Sequence, residues 1–154
     1  MTKTRKNSNK KRNNRTLSCK FTQIPTTDKD ITAVIDVNVL EYNLDFLKKK
    51  SGTDLMPVIK ADAYGHGLIE IAKNLRKLNI KYIGVATLGE AILLRKSGDK
   101  GRILSWLYDI EGNEIGDSFE LDLDIAIFDE THIPLLEKMV PYRKRIKVTM
   151  FVDT

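Results

Sequence analysis

The chain has 154 residues, 42% hydrophobic and 31% charged, enough for one domain with a sizeable core. No apolar run approaches the roughly 20 residues that cross a bilayer, and no apolar segment near the N-terminus reads as a secretory signal. One cysteine, Cys19, cannot make an internal disulfide, so a cytoplasmic protein with no membrane contact is the expectation.

The net charge of +5 is unevenly spread. Eight of the 26 basic residues lie in residues 1–20, which hold no acid, leaving 18 basic residues to face all 21 acidic ones. The remainder is therefore slightly acidic. Residues 1–29 are polar, rich in Lys, Arg and Asn, and read as a disordered basic tail. A plain solvated extension is the first reading; salt-sensitive contact with nucleic acid or anionic lipid is the lesser one, and a targeting segment the least.

From residue 30 onward short apolar strands alternate with amphipathic helices. "TAVIDV" (32–37) predicts a strand. The helix after it carries Leu40, Leu44 and Leu47 at helical spacing, with Asn38 and Glu41 to cap its start and Gly52 to stop it. "LMPVIKA" (55–61) predicts a second strand. A second helix places Leu68, Ile71, Ala72, Leu75 and Leu78 on one face. "KYIGVAT" (81–87) is a third strand, and the helix after it opens with the capping box Thr87-x-x-Glu90 and closes at Gly98. "RILSWL" (102–107) is a fourth strand, 108–122 a polar stretch, and "LDIAIF" (123–128) a fifth strand. "ETHIPLLEKMV" (130–140) is a short helix and "KVTMFVD" (147–153) a sixth strand.

This alternation predicts an α/β fold with a parallel sheet. An open doubly wound sheet and part of a (β/α)8 barrel both fit it. A complete barrel takes about 250 residues, so a barrel built from 30–154 would be incomplete, roughly its first half.

Lys60 stands at the C-terminal end of the second predicted strand, the edge where α/β folds gather functional groups. Partial burial favours the neutral form of an amine, which can attack a carbonyl. Ala61 and Ala63 leave room beside it for a flat group. Gly65 and Gly67 permit a tight turn into a helix whose N-terminus favours anions. On spacing alone, a lysine here is more often a snorkelling surface residue, and Tyr64 a rim aromatic. No GxxxxGK[ST] or GxGxxG pattern is present. The two histidines and one cysteine are too scattered to form a metal site, so no metal is expected.

"PVIKADAYGHG" (57–67) resembles the cofactor-attachment segment of the alanine racemases, close to V-[VI]-K-A-N-A-Y-G-H-G. "AVIDVNVLEYNLDFLK", "YIGVATLGEAILLRKSG", "RILSWL" and the closing "VDT" are similar to that family's segments in the same order, from about residue 32 to the end. The resemblance implies a pyridoxal 5'-phosphate enzyme of fold type III, an incomplete (β/α)8 TIM-like barrel here, and a homodimer when intact. It implies that Lys60 is catalytic and holds the cofactor through a Schiff base, then serves as one of two bases exchanging the α-proton of alanine. Tyr64 would hydrogen-bond the cofactor phosphate, and His66 would support the turn. His132 reads as a helix-surface residue.

The match departs from the family at three places. Asp62 stands where the family commonly has Asn, which keeps an acceptor and adds a charge. Phe151 stands where many members carry a lysine, which helps hold an arginine beside the cofactor; that arrangement is altered or lost. Thr154 ends the chain inside the D-T-G-[ML]-x-R motif, so 30–154 is expected to be a truncated N-terminal portion, without the tyrosine that serves as second base. The expectation is an alanine racemase supplying D-alanine for peptidoglycan, inactive as this fragment alone. The alternatives are another fold-type III amino-acid racemase or decarboxylase, and a vestigial pyridoxal-phosphate-binding remnant.

Overall fold

The computed structural model describes residues 16–19, 33–141 and 145–152. Within the stretch expected to be a disordered tail, Thr16–Cys19 forms strand β1, which pairs antiparallel with β2 (Ala33–Asp36) in the register Thr16↔Asp36 to Cys19↔Ala33. For these four residues the tail reading is corrected: a strand's open edge supplies partners for the backbone of a short uncharged run. The rest of residues 1–29 lies outside the described residues.

Helix α1 (Val37–Ser51) follows β2 directly. Its cap is Asp36, whose carboxylate accepts the Asn38 N–H at 2.8 Å, two residues earlier than the sequence suggested. The predicted stop holds: Gly52 sits at φ 67 and donates its N–H to Lys48 O. Leu40 and Leu44 pack on the core, but Leu47 remains exposed.

The expected second strand shrinks to one parallel bridge, Val58↔Gly84. Pro57 has no N–H to extend a ladder, and the chain turns away at Lys60. Gly84 donates to Pro57 O and accepts from Ile59 N, both at 2.9 Å. A β-carbon on Gly84 would meet Trp106 Cζ3 and Val58 Cγ2 at 3.2 Å, so a side chain here would press on both.

The remaining strands form one parallel sheet in the order β3 (Tyr82–Thr87), β4 (Arg102–Leu107), β5 (Asp124–Ile127), β6 (Lys147–Met150). Three helices cover one face: α3 (Leu68–Lys77), α4 (Leu88–Lys96) and α5 (Glu114–Glu120). Ile83, Val85, Ile103, Ile125 and Ile127 of the sheet form one core cluster with Leu75, Leu88, Leu94, Ile115 and Phe119. α6 (His132–Met139) adds Leu136. α5 lies in the stretch read from sequence as merely polar; Ile115 and Phe119, four residues apart, are its only strong apolar pair, and both are buried.

The N-terminal edge of the sheet is closed by arginines. Arg76 makes a bidentate pair with the buried carboxylate of Asp99 (2.8 and 3.0 Å) and donates to Ile80 O and Arg102 O. Arg95 donates to Leu121 O, Asp99 O and Asp122 O. Arg102 pairs with the fully buried Asp124 and lies 4.4 Å from the Tyr82 ring centroid.

Candidate active site

The C-terminal edge of the sheet is built differently. Residues Lys60–Gly65 form a short helical segment, α2, but Ala61, Asp62, Ala63 and Tyr64 all sit at φ 53–54 and ψ 38–52, the left-handed region. For residues with a β-carbon this costs roughly 1–2 kcal/mol each. Four in succession, none a glycine, is a concentration of strain of the kind that collects at functional sites.

The turn is held by four groups of contacts. Ala63 N–H donates to Ile59 O at 2.9 Å, and Gly67 N–H to Asp62 O at 3.0 Å. Asp62 Oδ1 accepts the Leu68 N–H at 2.6 Å. His66 Nδ1 lies 2.7 Å from Ala63 O, which fits the supporting role expected of it. The Ala61 N–H donates to Glu90 Oε1 at 2.6 Å. Gly65 and Gly67, at φ 80 and 90, complete the turn as the sequence suggested.

Asp62 changes one expectation. The N-terminus of α3 does attract an anion, but the chain supplies it: the Asp62 carboxylate occupies the first N–H. The charge that distinguishes this chain's Asp62 from asparagine is thus placed where a helix dipole favours it.

Lys60 is half-buried, while Tyr64 is 71% exposed. Lys60 Nζ lies 5.9 Å from the Tyr64 ring centroid, and among the described residues Lys60 forms no ion pair. The two candidate residues are therefore brought side by side. A groove of about 420 Å³ beside them is lined by Val34, Val58, Ile59, Ala63, Tyr64 and His66, among others. A larger cavity, about 600 Å³, opens at the opposite edge near Tyr82 and Arg102, away from Lys60.

Phe151 follows β6 at the same C-terminal edge. Its N–H donates to Ile127 O at 3.0 Å, and its ring stacks on Phe128 at 4.8 Å between centroids. The position is filled by an apolar stack, which offers no group to pair with an arginine. The last motif residues, Asp153 and Thr154, lie outside the described residues. His132 is not a helix-surface residue: it is half-buried at the start of α6, edge-on to Tyr108 at 6.4 Å.

Sequence reasoning missed Glu90 as part of this edge. It marked the capping box, which the structure contains: Glu90 N–H donates to Thr87 Oγ1 at 3.2 Å and Thr87 N–H to Glu90 Oε2 at 3.1 Å. No pattern in the sequence tied its other oxygen to Ala61. Among the described residues no three His, Cys, Asp or Glu side chains group to hold a metal, and no helix is long and apolar enough to cross a membrane.

The family "Alanine racemase, N-terminal domain" matches residues 35–154. The chain is 34% identical over 130 residues to alanine racemase of Borreliella burgdorferi (strain ZS7), covering 83% of this chain and 35% of that protein. The crystal structure of alanine racemase from E. faecalis superposes with a TM-score of 0.66 at 27% identity, covering 74% of this chain and 32% of that one. A histidine racemase from Leuconostoc mesenteroides subsp. sake NBRC 102480 superposes with a TM-score of 0.64 at 26% identity, covering 72% and 30%. The chain thus spans about a third of the length of these relatives. Its parallel sheet and helices match the N-terminal part of the TIM-like barrel of alanine racemase structures.

Proposed function

The chain belongs to the alanine racemase family through its N-terminal domain, and from that premise we propose that it forms the lysine-bearing part of an amino-acid racemase interconverting L- and D-alanine. The observation that carries the reading is the strained turn that sets the Lys60 amine beside Tyr64 at the C-terminal edge of the sheet. An ordinary surface lysine needs no such turn.

The residues fit pyridoxal 5'-phosphate. Lys60 would hold it through Nζ, and the exposed Tyr64 would donate its hydroxyl to the phosphate. Ala61 and Ala63 add little bulk to the turn between them. When bound, the group supplies an electron-withdrawing ring that stabilises the charge left on an α-carbon after its proton departs. Lys60 Nζ would take that proton on the face it borders and return it there. Inversion requires a second base on the opposite face, which we assign to a residue outside the Lys60–Tyr64 turn.

The experiment is exchange of the alanine α-proton with deuterated water, using the protein as its host makes it. Exchange that needs pyridoxal phosphate and disappears in K60A supports the reading. Exchange unchanged in K60A contradicts it. The histidine racemase relative makes the choice of amino acid a separate matter; a panel of L-amino acids that leaves alanine inert but exchanges another would keep the chemistry and change the substrate.

A further inference from the structure

A capping box asks Glu90 for one hydrogen bond back to Thr87 N–H. Glu90 does more. Its Oε2 accepts both Ala86 N–H and Thr87 N–H at 3.1 Å, while Oε1 crosses to the preceding strand–loop connection, 29 residues earlier, and accepts Ala61 N–H at 2.6 Å. One carboxylate thereby ties three backbone amides from two adjacent connections. Ala61 is the residue after Lys60 and the first of the four in left-handed conformation. Its N–H belongs to the Lys60–Ala61 peptide, so anchoring it fixes that peptide plane and the direction in which the Lys60 side chain leaves the backbone.

We propose that Glu90 is the positioning residue of the Lys60 turn: its carboxylate locks the Lys60–Ala61 peptide to the end of β3, holding the strained turn and keeping the amine aimed into the site. The clamp stands on geometry; its consequence for cofactor attachment rests on the functional reading above. Bridging two connections with one side chain also places the lysine relative to β3, to which, among the described residues, the backbones of Pro57 and Ile59 hydrogen-bond at Gly84. With so little sheet pairing at this point, the carboxylate adds a polar tie between the Lys60 segment and the sheet beside the Gly84 bonds and the packing of Ile59.

Glutamine has the same shape but one acceptor oxygen and an amide donor. In E90Q either Ala61 or the Ala86–Thr87 pair must face that donor, so the clamp opens without a change in volume. E90D keeps the charge at the start of α4 and falls one methylene short of spanning both connections. T87A removes only the hydroxyl that accepts the Glu90 N–H, and leaves both carboxylate oxygens in place.

Two quantities are read in the protein purified from its host: amide exchange at Ala61, and borohydride-reducible attachment of pyridoxal phosphate to Lys60. In E90Q the Ala61 amide is expected to exchange about tenfold faster or more, the worth of one charge-assisted hydrogen bond, and attachment to fall by a similar factor. E90D gives the same two shifts and serves if E90Q does not fold. T87A is expected to lower Tm yet change both readings less than about twofold, since it weakens the cap alone. Wild-type protection of Ala61 in folded E90Q or E90D overturns the proposal. Equal losses in T87A overturn it too, because they would follow from loosening α4 in general. If wild-type protein attaches nothing at Lys60, the functional reading fails and the Ala61 exchange alone decides the clamp.

Discussion

The two edges of the parallel sheet are held by opposite means. At the N-terminal edge three arginines reach across loops, and each guanidinium ends on carboxylates or carbonyls: Arg76 on Asp99, Arg95 on the carbonyls of Leu121, Asp122 and Asp99, Arg102 on Asp124. At the C-terminal edge the lysine forms no ion pair among the described residues, the turn after it runs through left-handed conformations, and Tyr64, Leu107, Phe128 and Phe151 stay exposed. One edge spends its polar groups on closing the fold. The other leaves a tyrosine and apolar side chains open and ties its turn through backbone amides bonded to carbonyls and to the Asp62 and Glu90 carboxylates. In (β/α) barrels the first arrangement marks the stabilising face and the second the face that carries chemistry.

This division can be broken at several points. R76A leaves the buried Asp99 carboxylate without its partner and is expected to cost about 3 kcal/mol or more. A urea melt reads the loss, and Lys60 attachment in the still-folded variant should be unchanged. Altered attachment would mean the edges are not separable. G84A pushes against Trp106 and Val58 and is expected to cost about 1–3 kcal/mol. Unlike R76A, it should also speed amide exchange at Ile59, whose bond to Gly84 O links the sheet to the Lys60 segment.

A pair of identical substitutions sharpens the contrast. A91G, within α4 and fully buried, is expected to lower stability by about 1 kcal/mol from helix propensity and by more from the lost methyl. A63G, in the left-handed turn, removes a β-carbon that opposes the native φ and should raise stability by up to about 1 kcal/mol. Denaturant midpoints moving in the same direction for both would contradict the account of strain.

The smallest effect concerns pH. Hydrogen bonds from Lys147 hold the Asp122 carboxyl below its ordinary value. A carboxyl lowered in the folded state adds stability that is complete above the unfolded value of about 3.9 and is lost as pH falls through the folded one. Both side chains are exposed, so the contribution should stay under about 1 kcal/mol. D122N should flatten the stability profile below about pH 4 by no more than this, as followed by thermal melts across pH.

Much of the fold was legible in the sequence because it follows local rules. The Thr87–Glu90 box, the Gly52 stop and the face of Leu68, Ile71, Ala72 and Leu75 all appear as read. The misses have physical causes. Asp36 capped α1 because an acidic side chain at the end of a strand reaches the first free amides. α5 escaped notice because two apolar residues suffice to dock a helix of seven. The left-handed turn gave no signal, since Ala61, Asp62, Ala63 and Tyr64 carry none of the glycine that usually announces it. Lys60 and Tyr64 could be singled out as candidates from sequence, but Glu90 joined them only through a contact across 29 residues. The site is where local preference and structure disagree most, which is the pattern expected when conformation is set by function.

The most direct test of the central claim is peptide mapping after incubation with pyridoxal 5'-phosphate and borohydride reduction, on the protein isolated from its host. The account expects one adduct, on the peptide that contains Lys60, and its absence in K60A. A folded protein that carries no adduct, or carries it spread over the exposed lysines of α1 such as Lys48, Lys49 and Lys50, would contradict it.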